Sequence, residues 1–271
     1  MPRSTLSVAI ITLNEAENLS RTLASVLFAD EIVVVDSGSS DGTVAIAKSF
    51  GAKVFVEPWK GFAGQKNSAI DRCTGTWVLS LDGDEELTAE LQREISAMLA
   101  AEDGSGSPVD GYRLRLRHVF LGRWMRRGGY YPDFKLRLFR RMTAAGVEQR
   151  FSERVVHESV TVAGRVETMQ HDFLHHGYPD LDIYLEHMNR YSTLGAQIIA
   201  GKGKGSRSVV AFCWNVVLVP VLTFLWNYGF RLGWMDGREG LLLHLYHSAY
   251  ISWKYGKAWQ MTRKRDPLRV G

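Results

Sequence analysis

Four short apolar runs in the first third of the chain decide what it can fold into. They are Leu6–Thr12, Glu31–Val35, Lys53–Val56 and Trp77–Leu81, each rich in the residues that suit a buried strand. Segments of helical spacing separate them. Glu17–Val26 sets Leu19, Leu23, Val26 and Leu27 on one face, and Asp41 is placed to cap Thr43–Phe50. Gly61–Arg72 carries Lys66 and Asn67, and Leu87–Ala100 comes after the fourth run. Strands alternating with helices of about ten residues predict βαβ units, an α/β fold with a parallel sheet. Ligands of such sheets lie beyond the carboxyl ends of the strands. The polar residues of this half gather at that edge: Thr12-Leu13-Asn14-Glu15, Asp36, and Asp82-Gly83-Asp84.

Two carboxylates one residue apart at the end of a buried strand cannot both point into the core. Gly83 is read as the residue that lets the backbone turn so that Asp82 and Asp84 face one pocket. Such a pair suits a hard divalent cation, Mg²⁺ or Mn²⁺, with water and ligand phosphates as its other partners. A plainer reading is also open, in which Asp84–Glu86 complement the dipole of a helix starting at Thr88. Plainer readings exist for Asp36 (a turn with a helix cap) and Lys66 (a solvated helix lysine) as well. On one rim they require several coincidences.

Glu102–Asp110 has the composition of a linker. Beyond it, Tyr112–Phe120 alternates Arg113, Arg115 and Arg117 with Leu114 and Leu116, the pattern of a half-exposed strand, and Phe134–Arg140 alternates likewise. Val155–Glu158 and the segments to Leu174 read as short strands, and Leu181–Ala200 as a helix. This divides the chain at residues 1–110, 111–178 and 179–271. The net charge of +4 is mild and does not imply nucleic acid, but the first hundred residues are acid-rich while Arg113–Arg141 and the tail are basic. That asymmetry points to an anionic partner, for which Arg117, Arg126, Arg127 and Arg137 are candidate contacts. Two distant cysteines, Cys73 and Cys213, fit a reduced cytoplasmic setting, and no secretory leader is read.

Val209–Trp226 is almost wholly apolar and sits at the lower length limit for a membrane span. With Trp214, Trp226, Trp234, Trp253 and Trp259 around it and basic residues at the end, Val209–Tyr255 is expected to form interfacial helices on a membrane. A single span through Val209–Phe230 and a buried dimer interface are the alternatives.

The chain resembles the inverting glycosyltransferases of family two. The matching stretches are Val8–Glu15, Ile32–Thr43, Gly64–Ala69 and Ser80–Glu85. The resemblance implies a GT-A fold, Rossmann-like with a mostly parallel sheet, and a nucleotide-sugar donor. It implies that Thr12, Asn14 and Glu15 line the nucleotide pocket and that Asp36 bonds the uracil edge. Lys66 would reach base or diphosphate, Asp82 the ribose or a metal water, and Asp84 the metal. A divalent ion stabilises the charge of a departing diphosphate without proton transfer.

Arg123-Trp124, Gly128–Asp133, Lys135–Arg140, Val155–Glu158 and Asn189–Ser192 resemble the bacterial lipopolysaccharide-core branch, which includes β-1,4-glucosyltransferases acting on inner-core heptose. That implies transfer of a hexose, with glucose favoured, from a UDP-sugar to a lipid-anchored anionic saccharide at the cytoplasmic face of the inner membrane. Inverting transfer needs one general base opposite the leaving group. Glu158 is the first choice and Asp133 the second. His157 is a candidate late metal ligand, although its spacing excludes zinc. The competing readings are a transferase acting on polyprenyl phosphate and a non-catalytic nucleotide-sugar-binding module.

Overall fold

The computed structural model describes residues 4–102, 109–143, 146–152, 159–203, 205–206 and 208–264. The chain forms two compact units, Met1–Arg117 with Pro132–His176, and His118–Tyr131 with Gly177–Gly271. The expected segments 1–110 and 111–178 therefore fall largely into one unit, while 118–131 joins the carboxyl-terminal one.

The first unit opens with β1 (Leu6–Thr12), α1 (Ala16–Ala24), β2 (Glu31–Asp36), α2 (Thr43–Ser49), β3 (Lys53–Val56), α3 (Phe62–Ile70) and β4 (Trp77–Asp82). After them come β5 (Glu85–Leu87), α4 (Ala89–Glu102), β6 (Val109–Phe120), then β7 (Arg123–Trp124), which lies in the second unit, and β8 (Asp133–Arg140) and β11 (Arg165–Tyr178). Between the last two, β9 (Arg150–Ser152) and β10 (Ser159–Thr161) make a separate antiparallel ribbon. The main sheet runs β3-β2-β1-β4-β8-β6-β11-β5, with β7 paired to β6.

The four strands read from the sequence pair in parallel, but β8 joins β4 antiparallel, as β6 joins β8 and β5 joins β11. The sheet is thus mixed, its parallel part being the four strands read from the sequence. Two local expectations change with it. Glu85–Leu87 form a short strand, β5, before the helix, which begins at Ala89; and of the short strands predicted up to Leu174, β10 is short while the last is the 14-residue strand β11.

Side chains alternate across this sheet with period two. On one face, Leu6, Val8, Ile10, Trp77, Leu79 and Leu81 pack against Leu19 and Leu23 of α1 and Leu91 and Ile95 of α4. On the other, Ala9, Ile11, Val33, Val35, Val78 and Phe139 pack against Ala63, Ala69 and Ile70 of α3 and Phe151 of β9. From β1 the chain steps outward through β2 and β3, then returns to β4 on the opposite side of β1. The carboxyl ends of β1 and β4 therefore flank a topological switch point, where α/β sheets open a crevice.

The second unit packs α5 (Leu181–Gly201) against α8 (Gly237–Lys264). Phe120, Met125, Tyr184, Met188 and Leu243 form its core. Lys257 Nζ reaches from α8 to Ser192 Oγ (2.7 Å) and Thr193 Oγ1 (2.9 Å) of α5. Residues 209–230 comprise α6 (Val209–Cys213), a π-helical turn, α7 (Val219–Phe224) and a second π-helical turn. By length and composition this stretch suffices to cross a membrane, with mean hydropathy 2.2 and only 6% of its apolar window buried. Its polar side chains are turned inward: Asn215 Nδ2 donates to Ser206 Oγ (3.0 Å) and Thr223 Oγ1 to the Val219 carbonyl (2.8 Å).

Candidate active site

Alternation along β4 puts Asp82 on the same face as Val78 and Ser80, the face that α3 covers. Lys66 lies on α3 one turn after Ala63 and one turn before Ile70, so it is carried inward with them and is buried. Its ammonium reaches Asp82 Oδ1 at 3.0 Å. Arg137 shares its face of β8 with Phe139 and meets the same carboxylate: Nη2 donates to Asp82 Oδ2 (3.0 Å) and to Glu85 Oε1 (2.5 Å). Glu85 in turn accepts the Asp82 backbone N–H at 2.9 Å. Burial works to raise the Asp82 pKa, but Lys66 and Arg137 outweigh it and hold this carboxyl below the usual range. At Glu85 burial wins over Arg137, and its pKa is raised. Burial opposes the charge of Arg137 as well, but the two carboxylates raise its pKa.

Asp84 lies beyond this cluster. Its Oδ2 is 3.1 Å from Nε2 of His175, which antiparallel pairing of β11 with β5 sets opposite Glu85. Burial alone would lower the His175 pKa, but Asp84 pushes it up to about 9; reciprocally, His175 overcomes burial to keep Asp84 low. Glu15 faces the same acidic group. Burial, and then the Asp84 charge, push its pKa up to about 7, against the Asn18 amide at 3.0 Å.

The loops after β1 and β2 are tied together. Asp36 is fully buried, and each of its oxygens accepts two hydrogen bonds: Oδ1 from the Gly38 and Ser39 N–H groups, Oδ2 from the Thr12 and Ser39 hydroxyls. Asn14 occupies the left-handed region at φ 55°, which asparagine tolerates, and its Oδ1 accepts the Ser40 N–H at 2.9 Å. Gly83 is not at positive φ. Its requirement is space, since a Cβ there would lie 3.0 Å from Glu15 Cγ and from Thr12 Cγ2. The backbone does turn at Gly83-Asp84, between β4 and β5, and the glycine also allows the close approach of two loops.

Thr12, Asn14, Glu15, Asp36, Lys66, Asp82 and Asp84 therefore collect on one rim. Asp36, expected at a base edge, organises the loop. Arg137, expected at an acceptor, is buried under Asp82. Arg117 is likewise committed internally: its Nη2 lies 2.5 Å from Asp172, which Arg115 also contacts at 3.1 Å. Arg126 and Arg127 belong to the second unit, where their backbone N–H groups donate to Asp236 Oδ2 at 3.0 and 2.8 Å. Asp133 opens β8 and pairs with Lys135 at 3.1 Å. Glu158 and His157 lie outside the described residues.

The donor chemistry suits a divalent cation. Asp82 and Asp84 place two carboxylates one residue apart at the carboxyl end of β4, each beside a cation, Lys66 at 3.0 Å and His175 at 3.1 Å. Among the described residues, no three or more His, Cys, Asp or Glu are drawn together as an assembled metal site. The protein would thus supply part of a coordination shell, with ligand phosphate and water the remainder. Glu85 and His175 were missed by sequence reasoning, because a three-residue strand and its distant partner leave no periodic signal.

The model of the family described as Glycosyl transferase family 2 matches residues 7–151. A lipopolysaccharide core biosynthesis glycosyltransferase, LpsC of Rhizobium meliloti (strain 1021), is 32% identical over 272 residues, covering 96% of this chain and 94% of the relative. An uncharacterized glycosyltransferase of Rickettsia felis is 34% identical over 73% of this chain and 71% of its own length. Among solved structures, S. aureus TarS 1-349 in complex with UDP-GlcNAc aligns with 98% of this chain and 93% of its own at 16% identity and TM-score 0.48.

Proposed function

Because this chain belongs to glycosyl transferase family 2, we propose that it transfers a hexose, with glucose favoured, from a UDP-sugar to a lipid-anchored anionic saccharide such as inner-core heptose. The observation carrying this reading is the acidic rim at the switch point of β1 and β4, whose carboxylates are held by Lys66, Arg137 and His175. The rim is rigid: two of its cations and Glu85 are buried, and the loops carrying Asn14 and Asp36 are cross-bonded.

In this reading Asp84, with Asp82 and His175 beside it, holds Mg²⁺ or Mn²⁺. The ion, when bound, neutralises charge on the departing diphosphate. Lys66 and Arg137 fix Asp82 so that the rim need not reorganise as charge develops, which is where preorganised electrostatics lowers a barrier. Glu15 closes the pocket beside Asp84, and Thr12 and Asn14 hold the nucleotide loop in place. A carboxylate, Glu158 or Asp133, takes the acceptor proton, giving inversion. Relationship to LpsC, a lipopolysaccharide core biosynthesis protein, supports the acceptor class. The apolar exposed face of residues 209–230 supports membrane association, peripheral or monotopic, which this reading puts at the cytoplasmic face.

The test is release of UDP from UDP-glucose, UDP-galactose and UDP-N-acetylglucosamine, with and without Mn²⁺ and purified core lipid. Acceptor-dependent release from one donor, abolished by a chelator, is the expected result. Release from none of them under any condition refutes the reading.

A further inference from the structure

Every solvent-exposed position between residues 209 and 230 is apolar or glycine. Val210, Trp214, Val217, Val221, Leu225 and Phe230 are more than 45% exposed on one flank of the segment, while the opposite flank packs on α8. A strictly apolar face of this length exceeds what a soluble monomer ordinarily leaves in water.

Directly after it, residues 231–236 turn back against the segment 126–129. The Gly128 N–H donates to the Arg231 carbonyl at 3.0 Å, and a Cβ on Gly129 would strike the Arg231 guanidinium. Here a cleft of about 420 Å³ opens, lined by Arg123, Trp124, Arg126, Arg127, Met235 and Asp236. Its charges are unevenly spent. The acid, Asp236, is buried and its Oδ2 accepts the two backbone N–H groups of Arg126 and Arg127. Arg123 pairs with Glu239 at 3.5 Å. The Arg126 guanidinium stacks over the Trp124 ring at 4.2 Å, and neither it nor Arg127 makes an ion pair among the described residues. Both are exposed. Exposed Met235 and Trp234 carry the apolar surface to the mouth of the cleft.

Unpaired guanidinium forks next to an apolar face match an amphiphile whose head is a phosphate. We propose that the cleft is a headgroup site, in which Arg126 and Arg127 take the phosphate of an anionic phospholipid while the face of residues 209–230 lies in the acyl border of the same leaflet. This deepens the membrane partner of the proposed function and rests on that reading. A membrane is favoured over a second copy of the chain because the charge adjoins the apolar face without an acidic counterpart on the exposed surface of the segment.

The full-length protein carries its own reporter. Cys213 is exposed within the apolar segment, and Cys73 is buried. Bimane attached to Cys213 is titrated with vesicles of phosphatidylcholine alone and with 30% phosphatidylglycerol, without donor or acceptor. The expected result is a blue shift with both, at roughly thirty-fold lower lipid for the anionic vesicles. Arg126→Ala/Arg127→Ala should lose that preference while keeping the zwitterionic binding and the thermal midpoint. Equal binding to both vesicles by the parent, or an unchanged preference in the double variant, overturns the proposal. So does a bimane already shielded in a dimer that vesicles do not dissociate. Since no sugar donor is present, these failures are separate from failure of the UDP-release screen.

Discussion

Replacing Arg137 by methionine removes a guanidinium shared by the half-exposed Asp82 and the buried Glu85. Asp82 keeps Lys66 at 3.0 Å, but Glu85, whose side chain is 2% exposed, loses its 2.5 Å partner and has only the Asp82 N–H. A unit-charge contact at this range is worth about 6–7 kcal/mol gross at an effective dielectric of ~20. Desolvation offsets part of that in the intact pair, and leaving one partner buried and uncompensated costs about 3–5 kcal/mol net. For a chain of this size that lowers the melting temperature by about 6–20 °C. Arg137→Met should therefore be the most destabilising single change on the rim, measured by urea unfolding at neutral pH. The second variant carries the logic: Glu85→Gln/Arg137→Met removes the orphaned charge yet keeps an oxygen for the Asp82 N–H. It should regain more than half of the lost stability. A double variant no more stable than Arg137→Met, or an Arg137→Met protein within about 1 kcal/mol of the parent, would refute the buried-charge account.

Asp84→Asn should reduce metal-dependent UDP release by about two orders of magnitude while leaving the melting temperature within a few degrees, checked by steady-state kinetics and calorimetry. Gly83→Ala, which forces a Cβ to 3.0 Å from Glu15 and Thr12, should raise KM for the donor with little change in circular dichroism. At Glu31, burial is outweighed by hydrogen bonds from Lys53, Ser7 and Thr74, and the pKa falls from 4.5 to about 2. A depressed carboxylate adds stability above its unfolded pKa and loses it as pH falls through the folded one. The parent's advantage over Glu31→Gln should thus be full above about pH 4.5 and gone near pH 2; discounted for the exposed Lys53, it amounts to about 1–3 kcal/mol. Burial pushes the Cys73 thiol up to about 12, so a thiol reagent should label Cys213 in the native protein and Cys73 only after unfolding.

The first four strands and their helices were legible because each carries its own periodic signal, and the rule placing ligands at carboxyl ends needs nothing more. The arrangement of the chain beyond β4 was not. Whether Tyr112–Phe120 and Phe134–Arg140 extend the same sheet depends on pairing across the chain, and alternation states only that they are strands. It does not say that β8 lies beside β4 or that β11 ends next to β5. The carboxyl-terminal helices were legible as helices, but residues 118–131 gave no sign of joining them, since Met125 and Phe120 read as apolar in any context.

The rim shows the same limit in charge. Period two alone assigns Asp82 to the face of Val78, and Arg137 to that of Phe139, so each residue's side of its own strand is in the sequence. That the two sides coincide requires the antiparallel register Leu79 with Leu138, which no local pattern encodes. An arginine in an alternating basic strand is therefore read as solvated or acceptor-facing, when this one is the buried counter-ion of two carboxylates. Lys66 escaped that error only in part: its spacing from Ala63 and Ile70 already turned it inward, toward a face on which a lone ammonium is unstable. A buried cation demands a paired anion, and on that face of the carboxyl edge of β4 Asp82 supplies it.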